Sequence, residues 1–459
     1  MTHFDLAVIG AGSGNSVITD EMADWSIALV EQRRAGGTCL NYGCIPSKML
    51  AYTAEVVDAV DTAHQFDVDA TRESLRWNDV RDRVFSRTDS VSDDGRRGRQ
   101  ESANITYFDG HAAFTGPRRF TVTDTTGTVQ EITADRVVVA AGGRPTVPPE
   151  VIDSGLPYET SDTIMRIDAV PRRLAVLGGG YIAAELAHVF AAAGSHVTIV
   201  DSSDMLLSGP QDDDIRSMFT TLMGARYDLR LGAELSTMQG SAGDLQLVLT
   251  DGSTVDADVL LVAVGRTPNG DRLNLASAGI DVDTGGRIVA DQFCRTTADG
   301  VFAVGDVSEG VPLRHVASRE AEVVSHNLLH PDLLRTKADA TVPSAVFAAP
   351  QMASVGLTEG QCHDREGEFR VGQAAFSEVA FGWAMQDDRG FAKVLVDAAT
   401  DQILGAHIIG PQAATLIQVF VVAIEFGISA ADLAQRPYWI HPALTEVIEN
   451  ALLDARSAA

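Results

Sequence analysis

The apolar residues in the first two thirds of this chain fall into short continuous runs, most of which end at a glycine-rich turn or a carboxylate. Such runs are typical of buried parallel strands, and a glycine turn after a strand is typical of a nucleotide-binding βα unit. The order strand, glycine turn, helix, strand, carboxylate occurs twice. The first unit comprises residues 5–15, 27–31 and 134–145, and the second comprises residues 173–183, 196–201 and 257–268. This duplication predicts two dinucleotide-binding units built on one plan.

The pattern changes after residue 342, where strands and helices no longer carry glycine turns. The further elements that we predict are strands at 343–347, 391–396 and 403–409, and helices at 46–66, 413–426 and 442–453. The polar, charged segment 67–102 is predicted to be largely helical. The C-terminal part of the chain is therefore expected to be an α+β region that binds no nucleotide.

Composition narrows the classes of partner. With 459 residues, of which 45% are apolar, the chain is long enough for about three domains. A net charge of −28 argues against nucleic acid and anionic membrane surfaces, because both are negatively charged. No apolar run reaches the ~18 residues of a membrane span, and residues 1–10 enter a strand without a signal-peptide pattern. We expect a cytoplasmic protein with no nucleic-acid or membrane partner.

Two cysteines, Cys39 and Cys44, lie five positions apart in a chain that has only four. Pro46 predicts a helix start close by, which places Cys44 at a helix N-terminus, where the partial positive charge favours thiolate. Two buried core cysteines are the alternative. Cys294 and Cys362 have no partner at redox or metal-ligand spacing and are expected to be structural, and no metal site is expected.

The glycine turns carry specific expectations. Gly10 allows a tight turn and Gly12 allows the backbone to approach a pyrophosphate, while Asn15 replaces the usual third glycine although Gly14 precedes it. Glu31 stands where a carboxylate binds a ribose hydroxyl. In the second unit the equivalent residues are Gly178, Gly180, Ala183 and Asp201. A later apolar strand ends in Gly305 and Asp306, a position from which a carboxylate could bind a ribitol chain.

In this order, these features resemble the two-cysteine pyridine nucleotide-disulfide oxidoreductases, a family that includes glutathione reductase, dihydrolipoamide dehydrogenase and mycothione reductase. The resemblance covers the whole chain and ends with His441, Pro442 and Glu446. The segments that most resemble mycothione reductases are 12–16, with its Asn15, 161–166, 181–190, 381–385 and 438–453. A mercuric reductase or a long thioredoxin reductase would carry a C-terminal cysteine pair, whereas the last cysteine here is Cys362.

The resemblance implies an α/β fold with two Rossmann-like dinucleotide-binding domains and a C-terminal α+β dimerisation domain. The implied bounds are 1–155 and 284–342 for the FAD-binding domain, 156–283 for the NAD(P)H-binding domain and 343–459 for the dimerisation domain. It also implies a homodimer with shared active sites, because the C-terminal region of this family crosses to the partner subunit.

The resemblance further implies FAD, reduced nicotinamide and a small-molecule disulfide substrate. Cys44 would be the thiolate next to the flavin, Cys39 the thiol that attacks the substrate, and His441 the proton donor. The implied catalytic residues are Cys39, Cys44, Lys48, Glu185, His441 and Glu446, with Lys48 paired to Glu185 and with Glu446 orienting the imidazole of His441. The implied cofactor-binding residues are Gly10, Gly12, Gly14, Asn15, Glu31, Gly37, Thr38, Gly142, Gly305 and Asp306, and Gly178, Gly180, Tyr181, Ala183, Asp201, Gly265 and Arg266.

Three questions stay open at the level of sequence. The leading hypothesis is reduction of mycothione. A dihydrolipoamide dehydrogenase-like enzyme is the nearest alternative, and a non-catalytic flavoprotein sensor or assembly subunit is a third. Asp201, with no Lys or Arg before Arg216, favours NADH over NADPH, although mycothione reductases as a family indicate NADPH. Tyr42 and Trp383 are candidate residues of the substrate pocket.

Overall fold

The structure, a computed structural model, describes residues 1–209, 211–337 and 341–457. Its strands are β1 (Thr2–Ile9), β2 (Ile27–Glu31), β3 (Ile105–Asp109), β4 (His111–Gly116), β5 (Arg119–Thr123), β6 (Val129–Val139), β7 (Gly143–Pro145), β8 (Glu159–Thr160), β9 (Arg173–Leu177), β10 (His196–Asp201), β11 (Asp228–Leu231), β12 (Leu235–Ser241), β13 (Asp244–Leu249), β14 (Thr254–Ala257), β15 (Val259–Val262), β16 (Arg266–Pro268), β17 (Val301–Ala303), β18 (Ser344–Val346), β19 (Met352–Gly356), β20 (Phe369–Ala375), β21 (Phe391–Asp397) and β22 (Ile403–Ile409).

The α-helices are α1 (Gly37–Asn41), α2 (Cys44–Asp61), α3 (Trp77–Glu101), α4 (Pro149–Ser154), α5 (Tyr181–Ala192), α6 (Asp213–Gly224), α7 (Arg314–Leu329), α8 (Glu359–His363), α9 (Ala380–Met385), α10 (Ala413–Glu425), α11 (Ala430–Gln435) and α12 (Glu446–Ser457). No helix within the described ranges is long and apolar enough to cross a membrane. The mixed α/β architecture expected from the sequence is confirmed.

The first two sheets have parallel cores at which the two glycine turns lie. In one sheet, β1 lies between β2 and β6, and β17 pairs with the end of β6. In the other, the order is β11-β10-β9-β15-β8 and every pair is parallel. The first strand of each unit, β1 and β9, is therefore central, and the turn that follows it lies at the carboxyl edge of the sheet, where nucleotides bind in such folds.

The third large sheet is antiparallel, in the order β18-β19-β22-β21-β20. Its core strands β21 and β22 are almost wholly buried, and α10, α11 and α12 pack against it with an apolar cluster of their own. Strands that are buried on both faces consist of continuous apolar residues, which is why they could be predicted from the sequence.

Three elements differ from the sequence-based expectation. The helix predicted after Gly12 is a short 3₁₀ helix, Ser13–Val17, because serine, asparagine and β-branched residues there are weak helix formers. The helix predicted from residue 46 begins at Cys44. The helix predicted from residue 442 begins only at Glu446, whose side chain instead accepts the backbone N–H of Ala443 at 3.0 Å and holds the preceding turn.

The chain contains three lysines, and each lies in an ion pair that joins separate parts of the fold. The pairs are Lys48 with Glu185, Lys337 with Glu309 and Glu320, and Lys393 with Asp212, Asp214 and Glu359. The side chain of Lys393 is only 2% exposed, and it joins the start of α6 to β21 and α8. These ion pairs therefore stabilise contacts between separate segments of the fold.

Candidate active site

The two glycine turns have the same geometry. Gly10 has φ +112° and Gly178 has φ +108°, a region that favours glycine, and a Cβ at either position would lie within 2.5 Å of the carbonyl oxygen of Ala140 or Ala263. Each turn therefore packs directly against the closing strand of its own unit. No other residue type fits this approach without moving the sheet.

Each turn is also held by the carboxylate predicted for it. Glu31 accepts the backbone N–H of Ala11 and of Arg33, each at 2.8 Å. Asp201 accepts the N–H of Gly179 at 2.5 Å and of Ser203 at 2.8 Å. Burial raises the pKa of Glu31, and the backbone N–H groups oppose that shift. The duplication seen in the sequence therefore extends to the hydrogen bonds of the two turns.

A first cavity, of about 260 Å³, runs from the first glycine turn to the two cysteines. It brings together every residue predicted for the FAD site except Asn15: Gly10, Gly12, Gly14, Glu31, Gly37, Thr38, Gly142, Gly305 and Asp306. Asn15 lines a different cavity, beside Cys39. Gly12 lines both of these cavities, so the contact predicted for Asn15 stays a prediction.

A second cavity, of about 600 Å³, follows the second glycine turn. Of the predicted nicotinamide residues, it is lined by Gly178, Gly180, Tyr181, Asp201, Gly265 and Arg266. Ala183 does not line it and is fully buried in the core between α5 and the sheet. Its role at this position is close helix–strand packing, as the third fingerprint residue usually provides.

Tyr181, Arg266 and Asp306 line both of these cavities. Arg266 donates to the carbonyl oxygen of Gly143 at 2.5 Å and lies 3.5 Å from Asp306. The exposed fraction of the Tyr181 residue is 38%. The wall between the two cavities therefore includes an aromatic side chain and an ion pair.

The cysteines lie at the end of the first cavity. Cys39 is on α1 and Cys44 is the first residue of α2, capped by Gly43. Both are free thiols, and each shifts the pKa of the other. Interaction with the Cys39 thiol, helped by Lys48, lowers the pKa of Cys44 to about 7 against the opposing effect of burial, whereas interaction with Cys44 and burial raise the pKa of Cys39.

Lys48 is held next to Cys44 by Glu185. Its Nζ lies 2.6 Å and 2.8 Å from the two carboxylate oxygens of Glu185, which is 4% exposed and also accepts the N–H of Phe347 at 3.1 Å. This contact joins α2, which carries Cys44, to α5, which follows the second glycine turn. The ion pair predicted between these two residues is present.

His441 and Glu446 form the expected pair at the other end of the chain. Nδ1 of His441 lies 2.7 Å from Oε1 of Glu446, and this hydrogen bond lowers the pKa of the Glu446 carboxyl. The His441 side chain is 71% exposed and does not line the cavity that contains Cys39. One chain therefore assembles the histidine and its orienting carboxylate but leaves them apart from the cysteines.

The structure also gives the positions of the other two cysteines and of the two candidate pocket residues. Cys294 and Cys362 are buried, and burial raises the pKa of both thiols, Cys294 to about 12. Tyr42 lines the first cavity under Arg33, at 4.0 Å, whereas Trp383 is exposed on α9. Among the described residues, no group of His, Cys, Asp and Glu side chains is arranged to hold a metal.

Some residues of the site carry no signal in the sequence. Glu320, on α7, is buried and accepts the N–H of Gly305 at 2.7 Å, which fixes the turn that presents Asp306. Arg314 lines the first cavity from the start of the same helix. Neither belongs to a recognisable motif, and only the helix start after Asp306 could have drawn attention to them.

Comparisons with known proteins agree with this geometry. Residues 4–321 match the family model for pyridine nucleotide-disulphide oxidoreductases, and residues 342–452 match the model for the dimerisation domain of the same family. The chain is 44% identical to mycothione reductase of Mycobacterium tuberculosis, over 99% of this chain and 100% of that protein. It is 32% identical to a dihydrolipoyl dehydrogenase of Chlamydia muridarum, over 98% and 96% of the two chains.

Among solved structures, the copper(II) complex of the HOCl-induced flavoprotein disulfide reductase RclA from Escherichia coli superposes with a TM-score of 0.86 at 26% identity, covering 99% of each chain. The similarity therefore extends over the nucleotide-binding units and the C-terminal sheet together.

Proposed function

Because the chain belongs to the pyridine nucleotide-disulphide oxidoreductase family, we propose that it reduces mycothione, the disulfide of mycothiol, with electrons from a reduced nicotinamide. The observation that carries the proposal is the pair of free thiols Cys39 and Cys44, with Cys44 at a helix N-terminus, in the cavity that also includes the first glycine turn. The choice of mycothione is supported by the 44% identity to a mycothione reductase over the full length.

The first cavity fits FAD. Its glycine turn allows close approach of a pyrophosphate, Glu31 faces the position of a ribose, and Asp306 follows the strand that ends beside the turn. When bound, FAD supplies the transfer of two electrons from a nicotinamide to the disulfide of Cys39 and Cys44. Tyr181 covers the opening between the two cavities and would have to move when a nicotinamide enters.

The chemistry of this chain's own residues is thiol–disulfide exchange. The Cys39 thiolate attacks one sulfur of the substrate, the substrate S–S bond breaks, and the second substrate sulfur leaves as a thiolate that takes up a proton. The Cys44 thiolate then attacks the sulfur of Cys39, which releases the first substrate sulfur and restores the Cys39–Cys44 disulfide. A pKa of about 7 keeps a large part of Cys44 ready for the second attack near neutral pH.

His441 is the proposed proton donor to the leaving sulfur. Glu446 binds its Nδ1, which leaves Nε2 directed away from the carboxylate and available for proton transfer. Because His441 is exposed and separate from Cys39 in one chain, the proposal requires a homodimer in which His441 of each chain reaches the Cys39 cavity of the other. The match of residues 342–452 to a dimerisation domain supports this arrangement.

We further propose that NADH serves at least as well as NADPH. Asp201 places a carboxylate at the end of β10, where it would accept a ribose hydroxyl and repel a 2′-phosphate, and no Lys or Arg follows before Arg216. Arg287 lines the second cavity, but it lies 3.8 Å from Asp283. A ratio of kcat/KM that favours NADPH by tenfold or more, about 1.4 kcal/mol, would contradict this reading.

The experiment that tests the function is a substrate panel. The purified holoenzyme would receive NADH or NADPH with the disulfides of mycothiol, glutathione, lipoamide or coenzyme A, and the Cys39→Ser variant would serve as the control. We expect the highest kcat/KM with mycothione. Comparable or faster turnover of lipoamide, especially in the direction of NADH formation, would overturn the proposal in favour of a dihydrolipoamide dehydrogenase.

A further inference from the structure

A third cavity, of about 460 Å³, gives Cys39 a second open side. It lies between the 3₁₀ helix after Gly12, the helix α1 and the helix α3, and it is lined by Cys39 but not by Cys44. Of the three cavities described, Cys39 therefore borders two, whereas Cys44 borders the first alone. A disulfide in the third cavity meets the sulfur of Cys39 and not that of Cys44.

The charge of the third cavity is opposite to that of the protein. Its lining residues are Ala11, Gly12, Ser13, Asn15, Ser16, Ala35, Gly36, Cys39, Leu40, Ile45, Val91, Ser92, Gly95, Arg99, Tyr107 and Arg314. None of these is an acid, although the net charge of the chain is −28. Within the described residues, neither Arg99 nor Arg314 lies within ion-pair distance of a carboxylate, in contrast to most arginines of the fold.

Of these two arginines, Arg314 is the one that acts on Cys39. It is the first residue of α7, and it lines the same two cavities that Cys39 lines. Interaction with Cys44 and burial raise the pKa of Cys39, and the Arg314 guanidinium opposes both. Lys48 acts on Cys44 instead, and its charge is balanced by Glu185.

The two cysteines begin in different protonation states, and the attacking sulfur is the protonated one. While Cys44 is the thiolate, Cys39 is the thiol that donates to it, so Cys39 begins as the neutral partner of the pair. Attack on a substrate disulfide nevertheless needs Cys39 as a thiolate. A cation without a carboxylate partner next to Cys39 stabilises that charge, whereas a neutralised ion pair does so only weakly.

We propose that Arg314 is a catalytic residue of the exchange reaction, and that its guanidinium stabilises the negative charge on Cys39 as this sulfur attacks a disulfide in the third cavity. The proposal rests on the proposed function, in that a disulfide is reduced at Cys39. In the step concerned, the proton of Cys39 passes to the partner subunit's His441, the Cys39–substrate S–S bond forms and the substrate S–S bond breaks. The electron pair leaves on the second substrate sulfur, which takes that proton from the imidazole, and Cys44 stays a thiolate for the second attack.

The test measures Cys39 directly, without substrate. The holoenzyme, reduced by dithiothreitol, would be alkylated with iodoacetamide or iodoacetate over a range of pH, and modification at Cys39 would be followed by mass spectrometry. The charged and titratable groups around Cys39 are Cys44 and Lys48 on α2, Arg99 on α3, Tyr181 and Glu185 on α5, and Arg314 on α7. The variants are Arg314→Met and Arg314→Lys, with Arg319→Met as control.

Arg319 is a matched control because it lies on the same helix, is 67% exposed, pairs with Glu322 and borders none of the three cavities. We expect Arg314→Met to slow alkylation by iodoacetamide about tenfold near neutral pH and to move its profile to higher pH, since an adjacent cation lowers a pKa by about 1–3 units. The preference for anionic iodoacetate should fall as well. Arg314→Lys should recover part of both effects, and Arg319→Met should resemble the wild type.

Unchanged alkylation of Cys39 in Arg314→Met would overturn the proposal, as would an equal slowing in Arg319→Met. Because alkylation needs no disulfide substrate, this outcome is independent of the panel described above. A protein that fails on mycothione but shows the shift in Cys39 alkylation would retain the role of Arg314 and lose only the assigned substrate.

Discussion

The reactivity of the cysteine pair depends on a few individual contacts. Cys44 has a pKa of about 7 because it interacts with the Cys39 thiol and lies near Lys48 at the start of α2. Above this pH Cys44 is mostly thiolate, and below it the thiol form increases, so the second attack of the exchange slows as pH falls through 7. Burial acts in the opposite direction, and the contacts with Cys39 and Lys48 outweigh it.

The two cysteines should fail in different ways when each is replaced by serine. Cys39→Ser should retain bleaching of the flavin by NADH and lose turnover of any disulfide, because the attacking sulfur is missing. Cys44→Ser should also lose turnover. In addition, the pKa of the Cys39 thiol should be lower in this variant, because the Cys44 thiol that raises it is missing. Stopped-flow absorbance and steady-state assays measure both. Full turnover in either variant would refute the exchange mechanism.

Replacing Glu446 should cost less than replacing His441. His441→Ala removes the proton donor and should slow disulfide reduction by ~10²–10⁴-fold, the range for loss of a general acid. Glu446→Gln keeps a hydrogen-bond partner for Nδ1, which lies 2.7 Å from Oε1 of Glu446, so it should slow disulfide reduction less than His441→Ala does. Steady-state kcat of both variants measures this, and an equal or larger loss in Glu446→Gln would contradict the orienting role.

At the scale of elements, each helix start beside the site is fixed by the strand or turn before it. The helix α5 begins directly after a glycine turn whose shape is set by the Asp201 carboxylate, and it carries Tyr181 and Glu185. The helix α7 begins with Arg314 and holds Gly305 through Glu320. These helices therefore position Tyr181, Glu185 and Arg314 between the second cavity and the cysteines.

One helix offers a stability test away from the chemistry. Gly98 lies inside α3, is exposed, and would have open space around an added Cβ. Gly98→Ala should increase the free energy of unfolding by up to ~1 kcal/mol, because alanine restricts the unfolded chain and favours the helix. Denaturant unfolding measures it. Gly10→Ala, where the Cβ would lie 2.3 Å from the oxygen of Ala140, should instead destabilise, and a stable Gly10→Ala protein would contradict the turn geometry.

The features that could be predicted are those that depend on residues close together in the sequence. The turns at Gly10 and Gly178 have their own glycines and carboxylates, so the sequence predicts both the turn and its position. The start predicted for the last helix, Pro442, was wrong by four residues, because a contact of the Glu446 side chain holds the preceding turn and α12 begins only at Glu446. Arg314 was missed because its proximity to Cys39 arises from packing between segments that are far apart in the chain.

At the scale of the whole molecule, one chain presents more apolar surface than its fold explains. Large hydrophobic side chains are exposed on α2, on α9 and around His441, among them Tyr52, Trp383, Phe426, Tyr438 and Ile440. Patches of this kind mark interaction surfaces. Two of them, Tyr438 and Ile440, lie within three residues of His441, which agrees with a partner chain that completes the site.

Mixed dimers should show whether the site is shared. Cys39→Ser and His441→Ala chains would each be inactive alone. In a two-fold dimer made of one chain of each kind, one site has both mutations and the other has neither, so random mixing should restore about a quarter of the wild-type turnover. Steady-state assays after co-refolding or co-expression measure this. Absence of any recovery, with mixed dimers demonstrated by mass, would show that each chain carries its own complete site.

The internal ion pairs of the three lysines have a practical consequence for the surface. Lys48, Lys337 and Lys393 all engage carboxylates within the fold, and the most exposed of their side chains is 35% accessible. Primary amines are therefore scarce on the outside of this protein, where arginine supplies the positive charge. Reagents that couple to amines, such as succinimidyl dyes, should label the native chain mainly at its N-terminus, which makes site-directed attachment possible without mutation.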